Sequence, residues 1–139
     1  MATTVAPDQR TQARTIEDER PWTTGSVWSV DFIRVKPGRN VEYARVLKET
    51  WAKVLEEQKK EGLVLSYKIL GGMPSNREEF THVLMVEYPN YAAFDQQDKF
   101  DAVLKRTIGS LGSFQEMMRE REEFREALGT RLLREFRLK

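Results

Sequence analysis

The chain has 139 residues and a mass of 16.3 kDa, the size of one folded domain. Its 23 Lys and Arg residues balance 22 Asp and Glu residues, and the net charge of +1 provides no long-range field that would attract nucleic acid or an anionic membrane. The absence of cysteine excludes disulfides, thiolate nucleophiles and cysteine-ligated zinc or iron–sulfur sites. No apolar run approaches the ~18 residues of a membrane span and no secretory-signal pattern opens the sequence, so we expect a cytoplasmic protein.

The N-terminal segment differs in composition from the rest of the chain. Residues 1–26 contain few large apolar side chains and many Thr, Gln, Asp, Arg and Pro residues. Such a segment buries too little surface to offset the entropy of ordering it. We therefore predict a flexible tail over residues 1–26 and one folded domain over residues 27–139. Trp22 is the exception in this tail, because an indole is rarely left undocked.

A strand and a long helix open the predicted domain. Residues 27–36 alternate aromatic and β-branched residues with polar ones, which predicts a strand that ends at Pro37-Gly38. Apolar residues then recur at helical spacing between the predicted N-cap Asn40 and Gly62. This helix would span ~30 Å at ~1.5 Å per residue, close to the length of the strand against which it would pack.

The second half of the chain repeats this alternation of strand and helix. Two strand-like segments flank a turn-rich connection and predict a hairpin with a long loop. The spacing of Ser113 and Glu116 is that of a capping box and predicts the start of a further helix. In chain order, we predict strands at 63–70 and 80–88, a helix at 91–108, a helix at 113–128 that ends at Gly129, and an edge strand at 130–138.

The order of these elements predicts a fold class. Two strand–helix–strand units that share a hairpin form the ferredoxin-like split βαβ arrangement, an α+β fold with a four-stranded antiparallel sheet. Right-handed crossovers place both helical connections on one face of the sheet. The other face is then left bare. Because this face is too rich in apolar residues to remain exposed to solvent, we predict a homodimer that forms through it.

The hairpin determines which residues share a face. If it turns around Ser75, Lys68 lies opposite His82. Strand alternation then assigns the more apolar set to the helices, namely Trp28, Val30, Phe32, Leu65, Tyr67, Ile69, Val83 and Met85. The predicted bare face holds Ser29, Asp31, Ile33, Val35, Val64, Ser66, Lys68, Leu70, His82, Leu84 and Val86.

Three ionisable residues of that predicted face are candidate catalytic groups. His82 is the one side chain whose ordinary titration lies near neutral pH, and it would act as general base or acid. Asp31, a carboxylate among aliphatic neighbours, would orient or assist it, and Lys68 or Tyr67 would stabilise developing oxyanion charge. The alternatives are a structural histidine that hydrogen-bonds across the strand and a structural ion pair at the rim.

Other residues give weaker signals. One histidine without cysteine cannot form a multi-histidine metal site within a subunit. A haem held by one axial histidine is the alternative, but His82 lies on a predicted strand, and we expect neither a metal nor an organic cofactor. The run 119–123 alternates in charge and predicts a solvated helix face, although Arg121 shares one side of its helix with Phe114, Met117 and Phe124. The aromatic residues on the predicted strands have an alternative interpretation, in which they pack in the hydrophobic core and do not contact a ligand. The candidate substrate-binding residues are Tyr67, Ser29, Ser66, Leu84, Val86 and Tyr88.

Two segments of the chain resemble the dimeric α+β barrel superfamily, in which two ferredoxin-like subunits pair sheet to sheet. The first is Phe-Ile-Arg-Val-Lys-Pro-Gly at 32–38, which runs into the helix with Tyr43 and Trp51; the second is Thr-His-Val-Leu-Met-Val-Glu-Tyr at 81–88, followed by Tyr-Ala-Ala-Phe at 91–94. The resemblance covers residues 27–138. Its members include cofactor-free monooxygenases, cyclases, lactone isomerases, haem-handling enzymes, stress-responsive barrels and ligand-sensing domains.

The resemblance implies three hypotheses for function. In the first, the protein is an enzyme of isomerase, cyclase or monooxygenase type that acts without metal or organic cofactor on a cyclic or aromatic enolisable substrate in the barrel interior. In the second, it is a metabolite-binding or stress-responsive dimeric barrel without catalysis. In the third, its own side chains fill the barrel and its role is assembly.

Overall fold

The computed structural model describes residues 13–139, which form four strands and five α-helices. In chain order the elements are α1 (Ile16–Glu19), β1 (Trp22–Val35), α2 (Asn40–Val46), a π-helical turn (Leu47–Trp51), α3 (Ala52–Lys60), β2 (Ser66–Gly71), β3 (His82–Tyr88), a 3₁₀-helix (Tyr91–Asp95), α4 (Gln97–Ile108), α5 (Leu111–Glu122) and β4 (Arg125–Leu138). The segments α2 and α3 and the π turn between them run on as one long helix.

The sheet is antiparallel and its strands lie in the order β2-β3-β1-β4. One crossover, the long helix, joins β1 to β2, and the other, α4 with α5, joins β3 to β4. This order confirms the predicted α+β, ferredoxin-like fold. Strand β3 pairs only with Val27–Ile33 of β1, whereas β4 pairs with β1 from Trp22 to Val35. The strands β1 and β4 therefore extend beyond the rest of the sheet as a two-stranded ribbon.

The hydrophobic core lies between the sheet and the helices. One cluster joins the sheet to the first half of the long helix, and a second joins it to α3. Burial of each such large apolar side chain contributes roughly 1.5–3 kcal/mol, and this holds the long helix against the central strands. The first cluster is Ile33, Val35, Tyr43, Leu47 and Leu84, and the second is Leu55, Val64 and Val86.

The predicted register of the hairpin is wrong by three residues. Gly71, and not Lys68, pairs with His82, while Lys68 pairs with Met85. Pairing continues to the first residue after β2, where the Gly72 amide donates to the Thr81 carbonyl at 2.9 Å. The loop that remains is held by its own local hydrogen bonds and is centred beyond Ser75. An odd shift reverses the faces of one strand relative to the other.

The predicted face assignment is also wrong for β1 and β3. Ile33 and Leu84 pack under the helices, and Val64 is buried with them. Trp28 lies on the opposite face, where the Lys68 ammonium is 4.8 Å from the centre of its ring. Both faces of the central strands are apolar, so apolar content alone does not tell which face the helices cover. We call the uncovered side the bare face; it comprises Trp28, Val30, Phe32, Ser66, Lys68, Leu70, Val83, Met85, Glu87, Arg131 and Leu133.

The first strand begins earlier than the predicted residue 27. Strand β1 begins at Trp22, whose ring packs 6.2 Å from that of Phe136 on β4. Before it, the one-turn helix α1 begins with a capping box between Thr15 and Asp18. The other part of the predicted tail, residues 1–12, lies outside the described residues.

The C-terminal elements also begin earlier than predicted. Helix α5 begins at Leu111 with Ser110 as its N-cap, and it ends at Glu122 rather than at residue 128. Strand β4 begins at Arg125 because the Phe124 carbonyl already accepts a hydrogen bond from the Lys36 amide at 2.9 Å. The predicted N-cap of the long helix is also wrong. Arg39, and not Asn40, precedes α2, and the Arg39 side chain makes no capping hydrogen bond.

Candidate functional site

A cavity of about 330 Å³ lies between α3, α4 and α5, over the end of β3. Its volume falls in the range of about 300 to 1,000 Å³ that small-molecule sites occupy. Side chains reach it from positions three, four and seven residues apart on each helix, the spacing that places residues on one helical face. The lining is Trp51, Val54, Leu55, Gln58, Tyr88, Phe94, Gln97, Phe100, Asp101, Leu104, Phe114, Met117 and Arg121.

Aromatic rings form much of the cavity wall. The Tyr88 ring lies 4.6 Å from that of Phe94 and 6.1 Å from that of Phe100, centre to centre. Burial raises the pKa of Tyr88, and the charge of Asp31 raises it further, so its hydroxyl stays protonated at neutral pH. The wall thus offers flat apolar surfaces with one phenolic group among them.

Arg121 brings a positive charge to this apolar lining. It retains only 6% of its surface exposed, and its Nε donates to the Thr50 hydroxyl at 3.2 Å. Burial, followed by the charge of Arg125, lowers the pKa of Arg121 to about 10, which still leaves the guanidinium protonated at neutral pH. Within residues 13–139 no carboxylate forms an ion pair with it.

The π-helical turn places Thr50 and Trp51 at this site. The Thr50 hydroxyl donates to the Val46 carbonyl at 2.6 Å and accepts from Arg121. Trp51 packs edge-on against Tyr67, with ring centres 5.3 Å apart. Single π turns inside α-helices occur frequently at functional sites, because the wider turn re-aims the side chains that it carries.

The structure does not bring the three candidate catalytic residues together. Asp31 and His82 both lie on the helix-covered face, on the adjacent strands β1 and β3. They are diagonal neighbours, because His82 pairs with Ile33, two residues after Asp31. Lys68 lies on the bare face, on the other side of the sheet. The Asp31 carboxylate accepts a hydrogen bond from the Thr130 hydroxyl at 2.7 Å.

His82 lines a second concavity, a groove of about 280 Å³ between β2 and the long helix. Its Nδ1 lies 2.8 Å from the Thr81 hydroxyl, and its ring stands edge-on to that of Tyr43 at 6.0 Å. Burial lowers the pKa of His82 below its ordinary value of 6.5, so the imidazole is neutral at pH 7. Trp51 lines both the groove and the cavity and separates them.

The candidate substrate-binding residues are similarly divided. Tyr88 lines the cavity, and Tyr67 lines the groove, where its hydroxyl donates to Glu56 at 2.6 Å and this bond raises its pKa to about 12. Ser66 lies on the bare face and donates to Glu87 at 2.7 Å. The remaining three are on the helix-covered face: Ser29 pairs with Val86, and Leu84 and Val86 are core.

No group of three or more His, Asp or Glu side chains among residues 13–139 is placed to hold a metal ion. No helix in the same range is long and apolar enough to cross a membrane.

Solved structures share the architecture of this chain. HapK from Hahella chejuensis superimposes with a TM-score of 0.53 at 10% identity, over 77% of this chain and 90% of HapK. A dimeric ferredoxin-like protein from an uncultured marine organism gives a TM-score of 0.50 at 12% identity, over 84% of this chain and 90% of its own. This chain has the ferredoxin-like fold. No protein-family model matches the sequence, and no curated protein matches it.

Sequence reasoning missed the residue that brings a positive charge to the cavity. The alternating run 119–123 predicts a solvated face, and Arg119 does pair with Glu116 at the surface. Arg121 instead follows Met117 by four residues and points to the same side of α5 as the core. An arginine on the apolar stripe of a helix was the available signal.

Proposed function

We propose that this protein binds a small cyclic or aromatic organic molecule in the cavity between its sheet and its helices. The observation that carries the proposal is the wall of the cavity, in which rings from β3, the 3₁₀-helix, α4 and the π turn surround a space of about 330 Å³. Largely apolar pockets with a few polar groups are where proteins bind such molecules. The polar groups here are Gln58, Tyr88, Gln97, Asp101 and Arg121.

We propose further that the protein acts as a homodimer through the bare face. Trp28, Phe32 and Met85 lie on it, and at its edges Leu70 and Leu133 are 52% and 51% exposed. Contiguous apolar surface of this kind marks a partner site, and both core clusters lie on the opposite side of the sheet. The similar structure from the marine organism is named as a dimer. A cytoplasmic location stays a prediction from the sequence.

Turnover without metal or organic cofactor is the second candidate function. The observation that favours it is His82, a neutral imidazole in a groove that adjoins the cavity across Trp51. There it is suited to abstract a proton from an enolisable substrate, as isomerases, cyclases and cofactor-free monooxygenases require. Asp31 is its diagonal neighbour, whereas Lys68 lies on the other face of the sheet and has no part in this candidate.

Ligand binding in the cavity is tested by calorimetry with 2-naphthamide, a flat neutral probe. We expect saturable binding of one molecule per chain. Leu104→Trp places an indole in the cavity and should weaken binding at least about tenfold, because the volume is then filled. Leu138→Trp, at an exposed position on β4 outside the cavity, is the matched control and should bind like the unmodified chain. Equal affinities in all three proteins, or no binding, would refute the proposal.

A further inference from the structure

We propose that the cavity selects an organic anion, with Arg121 binding the anionic oxygen while the aromatic walls hold an apolar ring. The inference rests on the proposed function and names its class of ligand: a flat molecule with a carboxylate, enolate or phenolate group. What points to this class is a buried positive charge whose hydrogen-bond partners are both uncharged.

The partners of Arg121 do not compensate its charge. A cation that is removed from water costs several kcal/mol unless it is paired. Nε donates to the Thr50 hydroxyl at 3.2 Å, and Nη1 lies 3.5 Å from the Met118 sulfur, which is a weak acceptor. Nη2 donates to no group in the part of the chain that the structure describes. The guanidinium thus retains donors for a further acceptor.

The neighbouring Arg125 shows how a buried arginine is satisfied in this fold. It is as buried as Arg121, at 7% exposure. It pairs with Glu122 at 3.2 Å and donates to the Tyr43 hydroxyl at 3.0 Å. Of these two buried arginines, only Arg125 has an ion-pair partner among residues 13–139, and the uncompensated charge belongs to Arg121.

The position of Arg121 gives that charge a ligand to meet. Its side chain lines the same cavity as Tyr88, Phe94 and Phe100. The carboxylate in that lining, Asp101, accepts a hydrogen bond from the Gln97 side chain at 2.9 Å and forms no ion pair with Arg121. A planar guanidinium binds carboxylates through two parallel hydrogen bonds, and such charge-assisted bonds are about twice as strong as neutral ones. An acid attached to a ring system satisfies both the charge and the apolar walls, whereas a neutral hydrocarbon leaves the guanidinium unpaired.

A matched pair of probes tests the inference. Calorimetry compares 2-naphthoate with 2-naphthamide, which has the same rings and no charge at neutral pH. We expect the unmodified chain to prefer the naphthoate by about tenfold or more, the size of one charge-assisted hydrogen bond. Arg121→Met should abolish the preference and still bind the amide, since an apolar residue of similar length can replace a buried ion without loss of stability. Arg119→Met, on the exposed side of the same helix, should keep it.

Each outcome decides between the two claims. A ratio near one in the unmodified chain would overturn the inference and leave the proposed function standing, because the amide would still bind. A strong preference that survives in Arg121→Met would also overturn it, since another group would then hold the anion. If neither probe binds the unmodified chain, the proposed function fails and the inference fails with it. If Arg121→Met does not fold, Arg121→Lys takes its place. This variant keeps the charge and should retain part of the preference for the naphthoate.

Discussion

Two arginines four residues apart are equally buried but differ in the charge of their partners. Arg121 and Arg125 both lie under the long helix, yet only Arg125 has a carboxylate within reach in the described chain. The difference is one of position, because Glu122 is placed three residues before Arg125 and its carboxylate lies 3.2 Å from the Arg125 guanidinium. Arg121 has the Thr50 hydroxyl that the π turn supplies. A buried charge left in this state is a functional candidate on physical grounds.

His82 leads to a prediction at the same scale. It is the only histidine in the chain, so its ring protons give a single set of NMR signals. Because burial lowers its pKa, we expect the folded protein to titrate with a midpoint below the ordinary value of 6.5. The same signal in concentrated urea should titrate near the ordinary value and serves as the control. A folded-state midpoint at or above the unfolded one would contradict the neutral imidazole of the second candidate function.

The sign of the linked stability change follows from that shift. Since the folded pKa is the lower of the two, the unfolded chain takes up the proton first as the pH falls. The free energy of unfolding should therefore fall below about pH 6.5, the ordinary histidine pKa, and the His82 contribution should be fully present above it. Comparison with His82→Gln isolates this contribution from those of the carboxylates.

Strand β4 carries a direct test of the bare face. Leu132 and Leu133 are adjacent, similarly exposed at 47% and 51%, and point to opposite faces of the sheet, because Leu133 pairs with Trp28 and Leu132 with Ser29. We predict that Leu133→Glu abolishes dimerisation, since a carboxylate in an apolar interface costs several kcal/mol. Leu132→Glu, the same change one residue away, should leave the dimer intact.

Analytical ultracentrifugation at micromolar concentration provides the readout for this pair. The unmodified chain and Leu132→Glu should sediment as species of twice the chain mass of 16.3 kDa, and Leu133→Glu as a species of the single chain mass. If the unmodified chain is a monomer, or if both variants behave alike, the bare face is not the interface.

The elements were predictable where local sequence decides them. Strand β1 ends before Pro37-Gly38, and the long helix ends before Gly62. The backbone of Gly62 has a positive φ of 75°, which glycine adopts without strain. The hairpin register was not predictable in this way, because the loop between Gly71 and His82 closes through side-chain contacts of its own. Strand β4 likewise starts early because the Phe124 carbonyl accepts a hydrogen bond from the Lys36 amide, a tertiary contact that no local pattern reveals.

At the scale of the molecule, the order of elements was enough for the fold but not for the site. Right-handed crossovers put both helical connections on one face whichever residues point there. The strand register determines which residues point to the face that the helices cover. Apolar content does not reveal this register, because both faces of β1 and β3 carry apolar residues. The cavity is harder still to predict from the sequence, because its side chains come from two strand-to-strand crossovers that meet only in the folded structure.

The most direct test of the central claim is NMR of methionine methyl groups during titration with 2-naphthamide. Three of the five methionines report on different places: Met117 lines the cavity, Met85 lies on the bare face, and Met73 is 96% exposed in the hairpin loop. The account predicts that the Met117 methyl signal shifts in the ring current of the bound probe while the signals of Met85 and Met73 stay in place. Shifts at Met85 or Met73 with Met117 unchanged would contradict it.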